Sequence, residues 1–239
     1  MKKQMPADWQ YDESKHVGMD YSDHNVSQDY DTEQSRFRDY DSEVRSAIDA
    51  LGLNEQSVVL DIGCGNGGYT LRLAKCCQHV YAVDISESML AIARKHAEEQ
   101  EVRNVTFVNS GFLTYSHKGD KLDAVVTAIA LHHLPDFWKQ IALKRLCEML
   151  KPGGKLLLID LVFCFNVEEY SERVENWLQK MYELGGNKIM NENCIHIREE
   201  YSTWDWIMKE MLQKAGFNIL DEANPLENVK GYVCIKAAS

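Results

Sequence analysis

Residues 58–68 read V-V-L-D-I-G-C-G-N-G-G, a short strand-forming run that ends in an acid and passes at once into a loop of glycines. The run 57–62 is apolar and rich in β-branched residues, as a parallel strand buried on both faces should be, and 69–77 (Y-T-L-R-L-A-K-C-C) has helical spacing. Gly63, Gly65 and Gly67 therefore fall on a strand-to-helix turn. Without side chains, such a turn adopts unusual φ values and lets a ligand approach the backbone. A loop of this kind either holds a nucleoside-containing ligand against a strand end or makes a very tight turn.

Gly63, Gly65 and Gly68 also satisfy the G-x-G-x-x-G spacing of dinucleotide-binding proteins, a pattern that by itself is weak. Three further features shift the reading. Asp61 stands at the strand end two residues before the first glycine, where a carboxylate repels a pyrophosphate but suits an ammonium or sulfonium group. A second strand, 79–83, ends in Asp84, about 20 residues past the first glycines and placed to accept both hydroxyls of a ribose. Later, L-D-A-V-V-T at 122–127 is followed by A-L-H-H-L at 130–134, and M-L-K-P-G-G at 149–154 leads into a strand at 155–160.

The rest of the chain keeps an alternating rhythm. An amphipathic helix over 41–51 ends at Gly52, a C-cap position, and Ser86 caps a helix over 86–100 that turns Met89, Leu90 and Ile92 to apolar contacts. Strands at 105–109, 122–128 and 155–162, with a helix at 137–150, imply an open, mostly parallel sheet with helices on both sides and a ligand site beyond the carboxyl ends of its strands. Residues 166–200 interrupt the rhythm with a helix over 167–184, then Gly185-Gly186 and a polar stretch holding Cys194, His196 and Arg198. With Val174, Trp177, Leu178 and Met181 on one face, this helix reads equally as a surface element or as the wall of a substrate pocket. A helix over 201–215 and strands at 217–220 and 231–236 complete the chain.

On four ordered elements, L-D-I-G-C-G-N-G at 60–67, V-D-I-S at 83–86, L-D-A-V-V-T-A-I-A-L-H-H-L at 122–134 and L-K-P-G-G at 150–154, the chain resembles the class I S-adenosylmethionine-dependent methyltransferases of small-molecule type. The likeness is strong over 50–162 and extends more generally to Gly216-Phe217. It implies a Rossmann-like α/β fold: an open, doubly wound, mostly parallel seven-stranded sheet with an antiparallel C-terminal hairpin, all in one domain spanning 1–239. Within that domain it implies a helical lid over 1–50, a cofactor-binding core over 51–162, a helical substrate-side insertion over 163–200, and a C-terminal helix and strands over 201–239. S-adenosylmethionine is the implied cofactor and S-adenosylhomocysteine the product. Asp61, Gly63, Cys64, Gly65, Asp84 and Ile85 are implied to contact it, with Met89, Gly111, Phe112 and Ala128, and Tyr30 at the entry to the lid. One departure stands out. Where the family often has an acid for the adenine amino group, this chain has Ser110-Gly111, which leaves backbone groups and Phe112 to hold the base.

Methyl transfer from a sulfonium needs a base only when the nucleophile must lose a proton. His132 and His133, at the end of the fourth strand, are the candidates, either as base or as anchors of their own loop. The net charge of −11 and the absence of an N/D-P-P-Y type sequence after Thr127 favour a small-molecule acceptor over nucleic acid. No apolar run approaches a membrane span and the first 21 residues lack a signal-peptide core, so a cytoplasmic protein is expected. The seven cysteines fit reduced thiols better than a disulfide framework, and no C-x-x-C or H-x-x-x-H spacing suggests a metal site. Residues 1–40, acidic and aromatic, read as a lid or a partly ordered tail. Two other readings remain: a binding partner or sensor that keeps the cofactor but not the chemistry, and an NAD-dependent oxidoreductase.

Overall fold

The computed structural model describes residues 9–15, 17–18 and 39–238. Helix α1 (Tyr40–Leu51) starts where the Asp39 side chain accepts the Ser42 N–H and stops at Gly52, whose φ of 69° lets the chain turn left-handed. Strands β1 (Val58–Ile62) and β2 (His79–Asp84) flank α2 (Thr70–Ala74), and α3 (Glu87–Glu99) joins β2 to β3 (Val105–Asn109). Then come β4 (Leu122–Ala128), α4 (Asp136–Met149), β5 (Leu150–Phe163) and α5 (Tyr170–Glu199). The chain ends with β6 (Thr203–Trp204), α6 (Asp205–Ala215), β7 (Phe217–Leu226) and β8 (Val229–Lys236).

The main sheet runs β3-β2-β1-β4-β5-β8-β7, parallel from β3 to β5 and antiparallel through β8 and β7. Connections from β1 wind outward through β2 to β3, while β4 and β5 extend the other way. The direction of winding therefore reverses between β1 and β4, and such a reversal opens a crevice at the strand ends. Two apolar layers cover the sheet. Val44, Ala47 and Leu51 of α1 pack with Leu73 on Val59, Val80 and Val126, while Leu143 and Leu146 of α4 and Leu212 of α6 pack on Leu60, Val125 and Leu156. Central strands read as unbroken apolar runs because both of their faces are covered.

Four elements differ from the sequence expectation, the simplest being β7, which runs on to Leu226 where the sequence predicts a strand ending at 220. An eighth, two-residue strand joins the seven: β6 pairs with the end of β5, Val162 to Thr203 and Phe163 to Trp204, so the last long helix begins at Asp205 rather than 201. β5 starts at Leu150 because the K-P-G-G stretch is drawn into the ladder, Leu122 pairing with Leu150 before a bulge. The polar stretch after Gly185-Gly186 is helical: α5 continues to Glu199 across a break at Gly185 (φ −147°) and Gly186 (φ 66°). That half shows no continuous apolar stripe, since the one residue it buries is His196. Most of the expected lid, Tyr30 included, lies outside the described residues. No helix among those described is long and apolar enough to cross a membrane.

Candidate active site

The glycine loop is sewn to β2. Gly63 and Cys64 both donate their N–H groups to Val83 O, at 2.8 and 3.1 Å. Asp84 then fastens the next turn, its two oxygens accepting Gly65 N and Ser86 N, each at 2.8 Å. Burial pushes the Asp84 carboxyl above its ordinary value, against the pull of those amides. Gly63 has φ 73°, and a Cβ there would overlap that of Ala130, so the loops after β1 and β4 close on each other only with glycine. Asp61 is 2% exposed and accepts the Thr70 hydroxyl at 2.5 Å. Burial, then the charges of Asp84 and Asp61, raise the Cys64 thiol far above its usual range, which leaves it a protonated packing group.

Asp61, Gly63, Cys64, Gly65, Asp84, Ile85, Met89, Ala128, His132 and His133 line one cavity over the ends of β1, β2 and β4. Gly111 and Phe112 are not among the lining residues; Phe112 is 7% exposed within the core beneath. Sequence reasoning missed Tyr40, Asn66, Gly68, Tyr69, Ser86, Ile129 and Ala130 in the lining. Only Ile129 has a distinctive geometry: a β-branched residue at φ 56°, costing roughly 1–3 kcal/mol, at the bend between β4 and the two histidines. That strain is fixed in part by the Ile129 N–H donating to Ile159 O at 2.8 Å.

The histidines differ sharply. His132 is 3% exposed, with Nδ1 2.5 Å from Asp160 Oδ1 and Nε2 3.3 Å from Glu200 Oε2. The same Glu200 oxygen bonds His196 Nδ1, and His196 Nε2 lies 2.7 Å from the Ser202 hydroxyl. Burial disfavours the His132 cation, but Asp160 and then Glu200 more than offset it and hold the pKa at about 9. Burial, with the neighbouring His132 charge, lowers His133 to about 3. Glu200 is itself driven well below the usual carboxylate range, burial being outweighed by its bonds from His132 and His196. At neutral pH the pair is one imidazolium clasped between carboxylates and one neutral imidazole, ring centroids 4.3 Å apart.

No sequence spacing announces Glu200, yet the fold brings ligand-type atoms of His132, His133 and Glu200 within 4.8 Å of one another. Lys139, fully buried, helps hold this corner by donating to Tyr201 O and to Asp136 Oδ1, while Tyr201 N donates to His132 O at 2.9 Å. Part of the N-terminal segment docks beside it. Trp9 stacks on Trp138 of α4 with centroids 6.1 Å apart, Glu13 reaches the turn after β3, and a Cβ on Gly18 would overlap the Glu200 side chain.

Strand order, winding reversal and a cavity over the β1 and β4 ends define the Rossmann-like fold of the methyltransferases. Residues 59–154 match the family model of a methyltransferase domain. An uncharacterized methyltransferase of Bacillus cytotoxicus is 30% identical over 161 residues, 67% of this chain and 69% of that protein. The chain belongs to this methyltransferase family. A S-adenosylmethionine-dependent methyltransferase from Clostridium acetobutylicum shares the fold with a TM-score of 0.65 over 90% of this chain and 98% of that one, at 14% identity. Magnesium protoporphyrin IX methyltransferase from Synechocystis, solved with bound SAH, does so with a TM-score of 0.60 over 83% and 82%, at 21% identity.

Proposed function

We propose that the protein transfers a methyl group from S-adenosylmethionine to an O, N, S or C nucleophile of a small molecule. One observation carries this reading: a single cavity gathers two carboxylates, the glycine-loop backbone, an apolar wall and an imidazole pair. The residues fit the cofactor by chemistry. Asp61 suits the ammonium of its amino-acid end, Asp84 the ribose diol, and Met89 with Ile85, an isoleucine left 41% exposed at the cavity wall, suits the flat face of a base. When bound, the cofactor supplies a methyl group on a sulfonium leaving group.

The protein's own part is mainly positioning, which in well-aligned reactions is worth ~7–11 kcal/mol. His132, with both ring nitrogens engaged by carboxylates, acts as a positioning residue: it fixes the loop and lends a buried positive charge. His133, neutral and lining the cavity, accepts a hydrogen bond from the acceptor's O–H or N–H and so turns its lone pair toward the methyl carbon; with a pKa of about 3 it orients the acceptor and does not keep its proton. His133→Ala is expected to lower turnover about 10²–10⁴-fold with little change in S-adenosylhomocysteine affinity. In the wild type, turnover should show no inflection near neutrality, because neither histidine titrates there. A full-rate variant would remove His133 from the chemistry.

The net charge of −11 supports a small acceptor rather than nucleic acid. Incubation of metabolite pools with methyl-labelled cofactor, read by mass spectrometry, tests the whole assignment; label in a small molecule supports it, and label confined to protein or RNA overturns the acceptor class. Calorimetry should give binding of S-adenosylhomocysteine and none of NAD. Gly65→Val should abolish that binding, because Gly65 has φ 53° and its missing Cβ faces Met89 across 3.3 Å. Binding retained by a folded Gly65→Val protein would place the ligand elsewhere.

A further inference from the structure

The turn after β3 is capped by an acid from outside it. Tyr115 N donates to Gly111 O at 2.9 Å, which makes Gly111 the residue ahead of one helical turn. At that position an Asp, Asn or Ser side chain usually turns back to accept the N–H groups two and three residues on. Gly111 has no such side chain. The two N–H groups, of Leu113 and Thr114, donate instead to Glu13 Oε1 at 3.0 and 2.8 Å, and the Thr114 hydroxyl adds a third bond at 2.7 Å. A Cβ on Gly111 would overlap the Glu13 carboxyl group. The N-terminal segment thus places a carboxylate in the volume that an acidic side chain at 111 would fill.

That volume follows β3, the strand next to β2 in the sheet. Asp84 and Asn109 are paired neighbours at the ends of β2 and β3, and Ser110 N donates to Asp84 O at 3.0 Å. With Asp61 on β1 and Asp84 on β2, the amino-acid end and the ribose occupy successive strand ends, the sulfonium that joins them lies between, on the side of the histidines beyond β4, and the base is left facing the β3 turn. Adenine presents there an exocyclic amine, a donor that needs an acceptor. A carboxylate has about four acceptor sites, and Glu13 Oε2 receives from the turn only a share of the Leu113 N–H.

We propose that Glu13 accepts the amino group of the adenine base, so that a residue of the N-terminal segment, and not one of the sheet, selects a 6-aminopurine cofactor. The inference rests on the reading of the cavity as a S-adenosylmethionine site. The segment does not depend on Glu13 for its place: Trp9 and Tyr11 both pack on Trp138, with centroids 6.1 Å away. The far side of the turn is held separately by Arg145, which donates to Phe112 O and Tyr115 O at 3.2 and 2.6 Å.

Calorimetry with S-adenosylhomocysteine and its 6-oxo analogue, S-inosylhomocysteine, tests this on the full chain. The wild type should prefer the amino form at least tenfold. Glu13→Ala should lose at least tenfold in affinity for the amino form and little for the oxo form, so the preference collapses. Glu13→Ala combined with Gly111→Asp should restore it, since Gly111 is not in the left-handed region and an aspartate there fills the vacated volume. An unchanged preference in Glu13→Ala, whether both affinities hold or both fall together, overturns the proposal and leaves Glu13 as a turn cap. A wild type that binds neither compound overturns the cofactor reading itself, a failure distinct from the first.

Discussion

Asp84→Ala is expected to weaken S-adenosylhomocysteine binding by at least tenfold, measured by calorimetry. Each charge-assisted hydrogen bond to a ribose hydroxyl is worth roughly 1.5–3 kcal/mol, and a carboxylate at the β2 end takes two. The structure adds a second consequence. Because Asp84 also accepts the Gly65 and Ser86 N–H groups, alanine unfastens the glycine loop from the start of α3, and thermal stability falls as well. The two effects are separable by measuring melting temperature beside affinity. A destabilised variant with undiminished affinity would reduce Asp84 to a loop clasp.

The second large effect is on stability and its pH dependence. His132 has a folded pKa of about 9 against an ordinary 6.5, a difference of roughly 3 kcal/mol. Its folded value is the higher one, so the folded state binds the proton more tightly; that contribution is complete below about pH 6.5 and lost as pH rises through 9. His133 and Glu200 work in the opposite sense. Their folded values lie below the unfolded ones, so stability drains away as pH falls, beginning near 6.5 for His133 and near 4.5 for Glu200. Denaturant titrations should therefore show a maximum near pH 6–7 with decline on both sides. Asp160→Asn, which leaves the buried imidazolium short of a carboxylate, should cost about 3–5 kcal/mol and remove most of the alkaline decline. A wild type equally stable from pH 6.5 to 9.5 would refute the charged state of His132.

What could be read from the sequence was what local chemistry decides. The β1 strand and its loop, the Gly52 cap and the Ser86 cap are set by residues adjacent in the chain, and the structure places each as expected. The two histidines could be located but not told apart. Their difference is made by Asp160, which β5 carries, and Glu200, which follows α5, and neither position has a pattern linking it to 132. Glu13 was invisible for the same reason: the sequence showed the gap at Gly111, while what fills it comes from a segment far upstream. Strand β6 escaped because two residues have no periodicity, and the second half of α5 because its one buried residue is a histidine.

Helix α5 is thirty residues long and buries only Trp177 and His196, one on each side of its glycine break, their rings in edge contact at 6.3 Å. Most substitutions on such an element escape the penalties of core packing, which fall on two positions alone. The break also separates inheritance of shape: apart from Trp177, which touches His196, the stretch before Gly185 can drift in sequence without a buried contact to the Glu200 cluster. A lineage built on this plan can rewrite one side of a helix while the proton-holding cluster on the other side passes through unaltered.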